Sequence, residues 1–320
     1  MKHEIIKRVL RLTSFILVLL LILLLLSYAF KPKNASENHL GDVKPNGLLA
    51  EPENTIDVLF FGDSEAYTSL SPIQMWSNAG FTSFVCASSS QYISLTQSFV
   101  EQSLEHQKPK VVVLETNAFY RKMRSDNAFM TRLENMFSII QYHNRWKSMM
   151  PIKFDNVSYT WLDNSKGFKY SKITTKGKTK NYMKKTDKVF QMPALNAAVV
   201  KEIVAYCNEN NVKVLFLSTP SSKNWNYAKH NAVSLLAREC GAEYLDLNLE
   251  KSIRIDWKTD TADAGDHLNY KGAHKVGDFL GPYLSKAYLL KNKKNDSAFE
   301  SWNELAEQYR TLFASMKDSY

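Results

Sequence analysis

Residues 12–30 read LTSFILVLLLILLLLSYAF, nineteen positions without a charge. As a helix they reach about 28 Å, close to the hydrocarbon thickness of a bilayer. No second apolar run of that length follows. The chain is therefore expected to cross a membrane once and to build the rest on one side of it. Lys2, Lys7, Arg8 and Arg11 precede the run, and only Lys31 and Lys33 follow closely. The positive-inside bias then puts residues 1–11 in the cytoplasm and everything after residue 30 outside. A cleaved signal peptide is the rival reading. It would have a shorter apolar region ending in a small-x-small site, which Tyr28-Ala29-Phe30-Lys31 does not supply.

Residues 31–54 are rich in Lys, Asn, Pro, Glu and Gly and read as a tether. Five short apolar runs follow: Ile56–Phe61, Phe81–Cys86, Val111–Leu114, Val212–Leu217 and Glu243–Leu247. Runs of this kind suit strands buried on both faces. Helical patterns lie between them. Thr96, Phe99, Val100, Ser103 and Leu104 share one face; Asn196, Val199, Val200, Ile203, Val204 and Cys207 share another; Tyr270–Leu290 closes the domain. Strands alternating with helices predict an α/β domain with a parallel sheet covered on both sides, spanning residues 55–290. Chemistry in such sheets gathers at the carboxyl ends of the strands.

Residues 118–193 interrupt the alternation as an insertion. It opens on an amphipathic run (Phe129, Leu133, Met136, Phe137, Ile140, His143, Trp146) and continues through residues 165–188, with nine lysines against Asp187. Residues 291–320 end in an amphipathic helix, with Phe299, Trp302, Leu305, Ala306, Tyr309, Leu312 and Phe313 at helical spacing.

The net charge of +9 favours anionic surroundings: phospholipid head groups, a wall polymer or nucleic acid. An outside location argues against nucleic acid. The basic stretch, with Phe168, Tyr170 and Tyr182 among its lysines, reads either as a cradle for an anionic polymer or as a solvated loop. His143-Asn144-Arg145-Trp146 reads either as a wall of the cleft or as ordinary helix packing. Cys86, Cys207 and Cys240 match neither a disulfide framework nor a zinc pattern and read as buried thiols; a Cys207–Cys240 bridge is the alternative. No cofactor or metal motif is seen.

Gly62-Asp63-Ser64 follows the first strand directly. A serine in a tight turn at a strand end projects its hydroxyl into the cleft above the sheet. Equally, Ser64 could cap the helix after it. Asp263-Ala264-Gly265-Asp266-His267 stands just before the last helix of the domain. A serine hydroxyl needs a base to become a nucleophile. Histidine is that base most often, and a carboxylate then holds its ring.

This pairing resembles the SGNH/GDSL hydrolase superfamily across residues 55–290. The resemblance implies a three-layer α/β/α, flavodoxin-like sheet. It implies Ser64 as nucleophile and His267 as base. Asp263 is the preferred orienter, because an adjacent side chain rarely folds back onto the inner ring nitrogen; Asp266 stays open. The oxyanion hole would use Ser64 N–H, an N–H of the second block near Ser88, and Asn117. Three blocks depart from the family pattern. The second reads Ala87-Ser88-Ser89-Ser90 without glycine, the third lacks Gly-x-Asn-Asp, and the last has one residue more between Asp263 and His267. The Leu-Asn after the histidine, the anchor and the insertion make the chain similar to a cell-surface branch, with the D-alanyl-lipoteichoic acid transfer protein and polysaccharide O-acetyltransferases. That likeness implies an esterase or O-acyltransferase acting on an anionic surface polymer or acylated glycan. The other class is a non-catalytic surface protein that binds polymer or scaffolds a membrane acyltransferase.

Overall fold

The computed structural model describes residues 2–30, 47–123, 125–143, 162–177 and 181–317. Of the tether, residues 31–46 lie outside the described residues, as do Asn144, Arg145 and Trp146 of the proposed cleft wall.

Residues 1–43 and 126–161 make one compact unit, and residues 44–125 and 162–320 another. The first contains helix α1 (Lys2–Phe30), among the described residues the one helix long and apolar enough to cross a membrane. It starts ten residues before the charge-free run. Its last turns meet a short helix at Ser138–Tyr142: Ala29, Phe30 and Tyr142 are buried together, and Ile139 N–H donates to Ser27 Oγ at 3.3 Å.

The second unit holds the sheet. Its strands are β1 (Val58–Gly62), β2 (Ser83–Ala87), β3 (Val111–Glu115), β4 (Lys213–Ser218) and β5 (Glu243–Asp246). All neighbours are parallel, in the order β2-β1-β3-β4-β5. Every residue of β1, β2 and β3 is buried, so these strands read as apolar runs, broken only by Ser83 and Glu115 at their ends, rather than as alternating ones. One face carries Val58, Phe60, Val111, Val113, Leu215 and Leu217 against a helix at Tyr270–Ala287, through Val276, Leu280 and Leu284. Helices at Ile93–His106 and Ala194–Glu209 cover the other face. The expected three-layer α/β/α sheet is therefore present. Cys86, Cys207 and Cys240 are free thiols, the first two buried.

From β1 the chain moves outward to β2, then returns across β1 to β3. That reversal opens a crevice between the carboxyl ends of β1 and β3, the usual ligand site of such sheets. Gly62 ends β1 there. A Cβ at this position would stand 2.6 Å from Glu115 Cβ, so only glycine lets the two strand ends approach so closely.

The end of the insertion closes the outer edge of β2. Val85 N–H donates to Lys166 O at 2.9 Å, and Gly167, at φ +85°, lies so near that a Cβ would meet Val85 O at 2.0 Å. Lys166 itself is buried with Glu51 in an ion pair of 2.6 Å and sits over the Trp302 ring. Phe168 is buried and Tyr182 packs edge-on against Trp257. These members of the basic stretch are internal. Lys172, Lys176, Lys184, Lys185 and Lys188 face solvent.

Candidate active site

Asp63, not Ser64, caps the helix after β1. Its Oδ1 accepts from Glu65 N–H at 2.9 Å, which makes Ser64 the first residue of the helix Ser64–Ser69. The capping reading of Ser64 is thus overturned, because the carboxylate of Asp63, one residue earlier, already satisfies that donor. Ser64 keeps a free hydroxyl at the mouth of the crevice.

His267 reaches it from the far end of the chain. Its Nε2 lies 2.8 Å from Ser64 Oγ, and its Nδ1 lies 2.5 Å from Asp263 Oδ2. With Nδ1–H donating to Asp263, Nε2 is left as the acceptor for the serine hydroxyl. The other oxygen of Asp263 takes the backbone N–H of His267 at 2.7 Å, so one carboxylate fixes both the ring and its main chain. Asp266 stands farther off, its Oδ1 3.9 Å from Nδ1. It is engaged instead by Asn224 Nδ2 and by Lys223 Nζ, the latter at 3.2 Å. A cation held by this acid pair would have to displace these bonds.

The loop carrying His267 is braced on two sides. Thr261 Oγ1 accepts from Gly265 N–H at 2.7 Å and donates to His267 O at 2.9 Å. The end of the insertion then ties it from outside. Thr175 N–H donates to Thr261 O, Ala264 N–H to Thr175 O, and Gly177 N–H to Trp257 O.

The oxyanion donors expected near Ser64 are placed unequally. Ser64 N–H has no hydrogen-bond partner among the described residues. Asn117 follows β3 in a short turn and is nearly buried. One amide hydrogen of its side chain goes to Asp63 Oδ2 at 3.0 Å, and a second remains. Ser88 N–H is taken by Gln91 Oε1 at 2.9 Å. It offers no free donor here, because the second block has folded its own glutamine side chain back over the turn.

Beneath Ser64 lies a set of acids that sequence reasoning did not resolve. Asp63, Glu65 and Glu115 are all buried. Asp63 is neutralised by Arg121, whose Nε and Nη2 approach Oδ2 at 2.7 and 2.6 Å. Glu115 accepts from Asn117 N–H with both oxygens, and Thr219 Oγ1 bridges it to Glu65. Burial first, then the charge of Asp63, pushes the Glu115 carboxyl up to about 8. Burial, then Glu115 and Asp63, pushes Glu65 well above the ordinary carboxylate range. Burial and mutual repulsion both favour the protonated form of each acid. The one sequence signal was Glu115 itself, a lone acid closing a buried apolar strand.

No family model matches the chain, and no curated protein matches it. Some solved structures resemble it distantly. One is a protein from Bacteroides fragilis described as an acylhydrolase, at 11% identity, covering 80% of this chain and 100% of its own, with a TM-score of 0.41. A GDSL-like lipase from Bacteroides thetaiotaomicron is 10% identical, covers 75% and 94% of the two chains, and scores 0.39. An acetyl xylan esterase is 14% identical, covers 72% and 99%, and scores 0.38.

Proposed function

We propose that this chain is a serine esterase or O-acyltransferase of the SGNH/GDSL type, held outside the cell by α1 and acting on acyl esters of a cell-wall or surface polymer. The row Asp263–His267–Ser64 carries this reading. Ser64 Oγ attacks the acyl carbon as His267 Nε2 takes its proton. The tetrahedral oxyanion is met by Ser64 N–H and the spare amide hydrogen of Asn117. Collapse expels the alcohol, which takes the proton back from His267 and leaves an acyl-serine. Water or a polymer hydroxyl, deprotonated by the same ring, then releases the acyl group. Water makes the protein an esterase; a hydroxyl makes it a transferase.

The flanking charge of α1 supports a domain outside the membrane. The exposed lysines of residues 172–188 support an anionic polymer as partner. One observation favours the non-catalytic alternative, a fold kept to bind polymer or to scaffold a membrane acyltransferase: Gln91 occupies Ser88 N–H. The decisive experiment is labelling of the full-length chain with a fluorophosphonate. We expect modification of Ser64 that Ser64→Ala abolishes. A wild-type chain that stays unlabelled would reverse the choice in favour of the scaffold.

A further inference from the structure

Two carboxylates face one ring nitrogen of His267, and only one of them reaches it. Asp263 Oδ2 is at 2.5 Å from Nδ1; Asp266 Oδ1 is at 3.9 Å. What separates Asp266 from the ring is visible in the hydrogen bonds. Asn224 Nδ2 donates to Asp266 Oδ1 with one hydrogen and to Glu65 Oε1, at 2.7 Å, with the other. A single planar amide thus joins the residue just after the nucleophile to the residue just before the base.

Both ends of this tether are anchored. Glu65 is fully buried, held by Thr219 and faced by Glu115 and Asp63, with Arg121 and Lys229 as the nearby cations. Asn224 has its N–H on Ser221 Oγ at 3.3 Å and its carbonyl on Lys229 Nζ at 2.6 Å. Lys229 in turn sits over the rings of Tyr120, Phe190 and Trp225. Asp266 is held on its outer oxygen by Lys223. The tether therefore runs from a rigid, buried floor to a carboxylate on a loop.

We propose, on the reading above that His267 is the base, that Glu65 and Asn224 are positioning residues that hold Asp266 off the His267 ring and leave Asp263 as its single carboxylate partner. The physical need is plain. Asp266 is adjacent to His267 in the chain and would pull the ring out of line with Ser64 if it bonded Nδ1. A second carboxylate on the ring would also trap the proton that the leaving alcohol must receive. Glu65 serves as an acceptor for Asn224, a task that needs only a carbonyl oxygen. Its raised affinity for a proton agrees with that neutral role.

The test reads the Nδ1–H proton of His267 by NMR in the full-length, 15N-histidine-labelled chain in detergent. The wild type should show a far-downfield resonance from the Asp263 bond. Asp263→Asn should lose it. Adding Asn224→Ala should return it, because the released Asp266 rotates onto Nδ1; Asn224→Ser serves if the alanine variant does not fold. In the same Asp263→Asn background, Glu65→Ala should also return the resonance and Glu65→Gln should not. Turnover of a small acetyl ester should stay at the Asp263→Asn level in Asp263→Asn/Asn224→Ala, because Asp266 on Nδ1 draws the ring out of line with Ser64. A folded double variant without the resonance overturns the tether, as does Asp263→Asn keeping it. Absence of turnover in the wild type would sink the enzymatic reading while the resonance still judges the tether.

Discussion

Ser64 and His267 arrive at the same 2.8 Å hydrogen bond by opposite means. Ser64 is placed by the core: β1 is buried along its whole length, Gly62 packs on Glu115, and Asp63 caps the next helix. His267 is placed by hydrogen bonds on a loop: Asp263 clamps ring and main chain, Thr261 ties the loop to itself, and residues 175–177 hold it from outside. One half cannot shift without breaking the sheet. The other can be loosened while the sheet stands. If the pair acts as proposed, it should lose activity through its loop half long before it loses its fold.

The sharpest cut through that comparison removes chemistry on both sides and stability on neither. Ser64→Ala should lower turnover of a small acetyl ester by about 10⁶-fold. Asp263→Asn should lower it by about 10⁴-fold, since a carboxamide can hold the wrong ring tautomer. Both should melt near the wild-type temperature in circular dichroism. A large drop in melting temperature for Asp263→Asn would mean that the loop is part of the core, and the contrast would collapse.

The ion pair that anchors the cover of β2 comes next. Lys166→Met removes the cation buried beside Glu51 and should cost about 3 kcal/mol or more in denaturant unfolding, because an unpaired buried carboxylate remains. Burial already pulls the Glu51 carboxyl above its ordinary value despite the lysine, which marks how poorly that site tolerates a bare charge. Thr261→Val should cost less, about 1–3 kcal/mol, by leaving Gly265 N–H without its acceptor. We expect it to lower kcat more than KM, because it frees the base and not the crevice. Equal effects on the two constants would place Thr261 in binding instead.

The smallest effect concerns the acids beneath Ser64. Their carboxyls are raised in the folded chain above the unfolded value. Between about pH 4.5, the ordinary value, and about pH 8, the folded state therefore holds more protons than the unfolded state. Stability contributed by this pair is greatest at the acid end and declines as pH rises through that window. Melting temperature measured from pH 5 to pH 8 should fall in the wild type and fall less in Glu65→Gln. An unchanged slope in the variant would mean that Glu65 does not contribute to this proton uptake.

The same division decided what could be read in advance. All five strands were legible, since a buried parallel strand is a continuous apolar run and little else in a chain looks like Val111–Leu114. Gly62-Asp63-Ser64 and His267 were legible because position in the fold and residue type agree. The helices Pro72–Ala79 and Tyr227–Cys240 were not, their apolar positions being few and mixed with Ser, Asn and Lys. Asn224, Arg121 and Lys229 were illegible for a different reason. Each is a polar residue in a connecting segment or at its edge, indistinguishable from solvated neighbours until the chain brings Asp63, Glu65 and Asp266 to it. The occupied Ser88 N–H belongs to the same class: Gln91 is three residues away, and nothing in the letters says which way its side chain turns.

The contact between Gly167 and β2 has a bearing on how the domain comes into being. An uncovered strand edge is a template for another chain, and β2 is apolar from Phe84 to Ala87. Its cover is supplied by residues 166–167, about eighty positions downstream of the strand. During emergence of the chain, β1 and β2 are available to pair long before that cover exists. The interval is a window of exposure to neighbouring copies, and its length is set by the insertion. A glycine that seats against Val85 without steric conflict closes that window at the first encounter; a side chain there would prolong it, and the penalty would register as aggregation during synthesis rather than as a lower melting point.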